Sequence, residues 1–154
     1  MTLGLSLGLA VGSAERRDPA GSCAGNERVE VCAFWVRALP PTVDTTAGYV
    51  TLRSASPDGD VLLAARSPDF AAVEIHESSV RDGLVEMVPH PALAIGPEAE
   101  VRFEPGGLHL MMMGAQRRLV DGTRVALTLE FRGAGTIEIS GRVRESGPVG
   151  SSGS

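Results

Sequence analysis

The chain has 154 residues, 43% of them hydrophobic but only 4% aromatic, and a formal charge of −5. That length and apolar content suit one domain with a real core, built mostly from Val, Leu, Ala and Ile. The mild acidity, with no long basic run and few aromatics, excludes a nucleic-acid surface.

Thr2 to Val11 is a short apolar run followed by Gly12-Ser13-Ala14, like the h-region and cleavage site of a signal peptide, although no basic n-region precedes it. It is too short to span a bilayer as a helix. Residues 1–26 as a whole are rich in Gly, Ala and Ser and read as leader plus linker. The folded domain is expected over residues 27–145, and residues 146–154 have the composition of a flexible tail. Cys23 and Cys32 are not spaced as C-x-x-C, and a disulfide and two free thiols are equally compatible with the sequence.

The domain reads as strands. Arg28–Val36, Ala47–Ser54 and Asp60–Arg66 come first, the last after the turn signal Ser56-Pro57-Asp58-Gly59. Val73–Val80 alternates apolar and polar residues, turns through Asp82-Gly83, and returns as Leu84–Val88, which is a strong hairpin signal. Glu98–Glu104 turns at Pro105-Gly106-Gly107 into Leu108–Met113. Arg124–Arg132 and Thr136–Arg144 close the set. Eight or nine short strands with dense Pro and Gly punctuation, and no convincing amphipathic helix, predict an all-β sandwich or barrel.

Histidine and methionine are scarce, three and five residues respectively, so their placement is informative. His76 and Met87 fall on the two arms of the predicted hairpin. His109 and Met111 are two apart on one strand and so face the same way. Two imidazoles and two thioethers form a neutral, soft N2S2 set that favours Cu(I) over Zn(II). A blue-copper centre would need a cysteine thiolate, and neither cysteine is near these residues. Met112 falls on the opposite face and is expected in the core, Met113 shares the ligand face, and His90 sits in a Pro-flanked turn without a strand partner. A Met or His taken singly is more often structural than a ligand. Nothing resembles a Ser-His-Asp set or a paired-acid site, so an enzyme is not expected.

The spacing His76-x10-Met87-x21-His109-x-Met111 resembles the copper motif of the PCuAC family of periplasmic copper chaperones. Further segments resemble that family: Phe34-Trp35-Val36-Arg37-Ala38, Ala47–Leu52, Val73–Glu77, Pro105–Met111 and Arg124–Phe131. The resemblance covers about residues 28–144. It implies a cupredoxin-like Greek-key fold and one Cu(I) ion held by His76, Met87, His109 and Met111 at an exposed rim. It further implies an extracytoplasmic chaperone that helps load the CuA domain of cytochrome c oxidase, alongside Sco-type thiol proteins. The Met/His-rich tail of some members is not seen here, so a single site is expected, in a monomer. The alternatives are a periplasmic copper buffer or resistance protein using the same site, and a β-sandwich binding module whose His and Met residues are structural.

Overall fold

Alternating buried and exposed side chains run through residues 22–145, the part of the chain that the computed structural model describes. In chain order the strands are β1 (Cys23–Gly25), β2 (Val29–Arg37), β3 (Thr46–Ser54), β4 (Asp60–Arg66), β5 (Phe70–Arg81) and β6 (Leu84–Pro89). They continue with β7 (Leu93–Ile95), β8 (Glu100–Arg102), β9 (Leu108–Ala115), β10 (Arg124–Phe131) and β11 (Gly135–Arg144). No helix occurs among the described residues. The all-β expectation is met.

The pairing runs β2–β11–β10–β4–β5–β9–β3, and β3 then returns to pair with β2. The sheet therefore closes on itself as a barrel, which removes the open edges of those strands. Strands β1, β6, β7 and β8 are added on β2, β5, β4 and β3. The β2–β11 pair is parallel, and the other pairs are antiparallel.

Inside the barrel, one face of each strand supplies the core. Val29, Val31, Val36, Leu52, Leu62 and Leu129 are wholly buried there. The chain's four phenylalanines, Phe34, Phe70, Phe103 and Phe131, all join them. Each such side chain contributes about 1.5–3 kcal/mol by leaving water. In β2 the register slips between Cys32 and Trp35, where Ala33 adopts a φ of 56°. This bulge turns Trp35 outward to pair with Tyr49 while Phe34 and Val36 face the core.

Two strands escape the periodicity of the sequence. β7 is only three residues long and sits between Pro91 and Pro97, so its alternation is too short to register. β1 lies in the segment read as linker, and its place comes from its pairing with β2: Cys23 pairs with Cys32 and is joined to it by a disulfide. The structure thus decides the thiol question that spacing left open. The signal-like run before residue 22 and the tail from residue 146 lie outside the described residues.

Candidate metal centre

The hairpin of β5 and β6 turns at Asp82 and Gly83, both with positive φ, 52° and 76°. Arg81 pairs with Leu84 across it, so the loop has two residues, the geometry that Asp-Gly favours. On its other side β5 pairs with β9, which enters from a turn where Gly106 has a φ of 87°. The strand order β6–β5–β9 carries all four candidate ligands.

His76 on β5 and His109 on β9 are direct cross-strand partners. Met111 pairs with Glu74, and Met87 pairs with Ser78. Paired residues share a sheet face, as do residues two apart on one strand. His76, Met87, His109 and Met111 therefore leave the same face. It is the outer one, because the alternate residues Ile75, Leu110 and Met112 belong to the core. Met111 and Met87 lie on diagonals either side of the histidine pair. Exposure rises across the set: His109 is 5% exposed, Met111 is half-buried, and Met87 is 54% exposed.

The histidine rings have centroids 6.0 Å apart and planes inclined by 46°. Nδ1 of His109 lies 3.1 Å from the Gly107 carbonyl. A carbonyl can only accept, so this nitrogen carries the proton and Nε2 holds the lone pair. Nε2 is buried without a hydrogen-bond partner. At His76, Nε2 lies 2.8 Å from Glu74 Oε2, and Nδ1 is buried and unpartnered. Among the described residues these are the only buried side-chain nitrogen or oxygen atoms without a partner. Both occur on this one pair of rings.

The remaining candidates stand apart. Met112 is fully buried on the opposite face, as its alternation predicts. Met113 pairs with Ala72 and shares the outer face. His90 is held by Glu77 at 2.8 Å, and Glu77 alternates with His76 onto the other face of β5. Cys23, Glu30 and Cys32 bring donor atoms within 4.8 Å of one another, but the disulfide leaves no thiolate there. Glu74 and the Gly107 carbonyl were not singled out from the sequence. Both lie two residues before a histidine, so strand alternation was the signal that could have found Glu74.

Residues 29–143 match the family described as "Putative lipoprotein LpqE-like". The chain belongs to this LpqE-like family. The LpqE-like match spans β2 to β11 and so contains every candidate ligand. A relative from Leifsonia xyli subsp. xyli, Lxx21020, carries the same lipoprotein designation. It is 24% identical over 118 residues, 76% of this chain and 70% of the relative. Among solved structures, the copper-bound PCuAC domain from PmoF2 is similar with a TM-score of 0.68 at 21% identity, over 82% of this chain and 98% of that one. CuI-DR1885 from Deinococcus radiodurans is similar with a TM-score of 0.58 at 24% identity, over 86% of each chain. This LpqE-like protein therefore has the fold of PCuAC domains, the fold that the sequence resemblance implied.

Proposed function

We propose that this protein is an extracytoplasmic Cu(I) carrier that binds one ion through His76, Met87, His109 and Met111 and hands it to a thiolate-bearing acceptor. The observation that carries the reading is the pair of buried, unpartnered nitrogens on facing histidines. Leaving a buried polar atom without a partner costs about 1–3 kcal/mol, and such atoms are rare in folded proteins. One cation shared by the two rings removes both penalties. With a metal–imidazole bond of about 2 Å, each ring centroid lies about 3 Å from the ion, so two rings sharing it stand about 5–6 Å apart. The observed 6.0 Å fits that span.

The thioethers select the metal. Neutral sulfur is soft and suits Cu(I), while Zn(II) prefers thiolate, imidazole or carboxylate. Methionine is also flexible enough for Met87 and Met111 to reach inward from their diagonals. Of the two similar structures, one is copper-bound and the other holds CuI, which supports copper as the metal. An extracytoplasmic location is supported by the disulfide, which forms and persists in oxidising compartments, and by the lipoprotein description of the family.

Release follows from the same chemistry. Thiolate is a stronger donor for Cu(I) than thioether. Met87, exposed at the outer end of the set, lets an acceptor take up the ion before the less exposed histidines let go. The PCuAC resemblance points to the CuA domain of cytochrome c oxidase as acceptor, with Sco-type proteins alongside. The role needs no reacting substrate, so the protein is read as a carrier and not an enzyme.

The test is Cu(I) titration against a chromogenic chelator, followed by mixing the loaded protein with an apo CuA domain. One ion bound by the wild type, strong loss in His109→Ala and Met111→Ala with the fold intact, and copper moving to the acceptor are the expected results. Copper retained against excess acceptor would make this a buffer. No Cu(I) binding at all would leave a β-barrel module whose histidines are structural, a reading that the unpartnered nitrogens disfavour.

A further inference from the structure

We infer that Glu74 is a positioning residue for the candidate copper site, holding His76 in the tautomer that offers Nδ1 to the ion. The inference rests on the Cu(I) reading of the site. Glu74 and His76 are two apart on β5, so both side chains leave the same face. Glu74 Oε2 lies 2.8 Å from His76 Nε2. An ionised carboxylate can only accept, so Nε2 carries the proton. The neutral ring then has its lone pair on Nδ1, the atom that is buried and without a partner.

The opposite ring obeys the same logic in mirror image. At His109 the Gly107 carbonyl takes the Nδ1 proton and frees Nε2. Facing strands thus present different nitrogens, each freed by an acceptor on the far side of its own ring. Residues that grip the second nitrogen of a metal-binding imidazole fix its orientation and raise its basicity. For His109 that grip is main chain. For His76 it is a side chain, so it can be tested by substitution.

In the register Glu74 lies opposite Met111. Its side chain is 57% exposed, so water competes for the bond and its effect belongs at the low end of the range for such partners.

The experiment uses 15N-labelled protein and long-range proton–nitrogen correlation of the histidine rings, at a pH well above the histidine range. In the apo wild type, His76 is expected to show a protonated Nε2 and a bare Nδ1. Glu74→Leu should mix the two tautomers, and Glu74→Gln, whose amide oxygen still accepts, should restore the wild-type pattern. His109 should be unchanged in both, as an internal control. On Cu(I) loading the Nδ1 resonance of His76 should shift while Nε2 keeps its proton. Cu(I) affinity should fall about tenfold in Glu74→Leu and recover in Glu74→Gln. A bare Nε2 in the apo wild type, an unchanged tautomer in Glu74→Leu, or copper on Nε2 of His76 would each overturn the inference while leaving the copper reading in place. A wild type that takes up no Cu(I) would overturn the copper reading, and with it any role of Glu74 toward a metal.

Discussion

Met111 and Met112 are adjacent in sequence but leave opposite faces of β9. Met112 is fully buried, with its sulfur packed so closely over Gly48 that a Cβ there would sit 2.7 Å from it. Met112→Ala should therefore cost about 2–5 kcal/mol as a core truncation, read by denaturant unfolding, with Cu(I) binding retained. Asp60 shows a different single-residue effect. Its carboxylate accepts hydrogen bonds from the main-chain N–H groups of Val61, Gly133 and Ala134, each at 2.8 Å, with Arg28 nearby. Burial pushes its pKa up, but the three N–H bonds and Arg28 outweigh burial and hold it below the ordinary value. A depressed folded-state pKa stabilises the protein above the unfolded-state value of about 3.9. That stabilisation is lost as pH falls from there through the lower folded-state value. Asp60→Asn should lower stability at neutral pH and flatten its loss in that acid window, measured by thermal unfolding across pH.

Strands and turns follow from local chemistry where alternation is long and a strong turn signal bounds it. The β5–β6 hairpin is the clearest case: Asp82-Gly83 fixes the turn, the turn fixes the register, and the register puts Met87 on the face of His76. The parallel contact of β11 with β2 was not legible, because it joins segments distant in sequence. It depends on Gly141, where a Cβ would come 2.2 Å from the Phe34 carbonyl oxygen. That oxygen is main chain and cannot move without shifting β2. Gly141→Ala should destabilise by about 3 kcal/mol or more, at the upper end of overpacking effects. Its unfolding midpoint in denaturant, compared with that of the wild type, is the check.

At the scale of the whole molecule, closure of the barrel brings β9 beside both β5 and β3 and so sets one face of the sheet as the site. The disulfide acts at the same scale by fastening β1 to β2. It closes a short loop, with a separation of nine residues. Restricting the unfolded chain in this way contributes about 2–3 kcal/mol on the chain-entropy account. The double variant Cys23→Ser/Cys32→Ala should lose that amount in denaturant unfolding while keeping the barrel's circular dichroism spectrum. β1 is the strand expected to detach, because it is three residues long, pairs with β2 alone and loses its covalent tie to it.

The sequence by itself determined the strands other than β1 and β7, the inward and outward faces, the β5–β6 turn and the spacing of the four candidate ligands. These depend on the two-residue period of a strand and on the φ preferences of Asp and Gly, which are local properties. Only the tertiary structure decided that His76 and His109 are direct partners, that Cys23 meets Cys32, and that Glu74 and Gly107 each hold one ring nitrogen. Cross-strand pairing joins residues far apart in the chain, and no local periodicity encodes which strand lies beside which. The unpartnered nitrogens belong to that second class too. A buried lone pair is a property of everything packed around it, and the packing exists only once the barrel has closed.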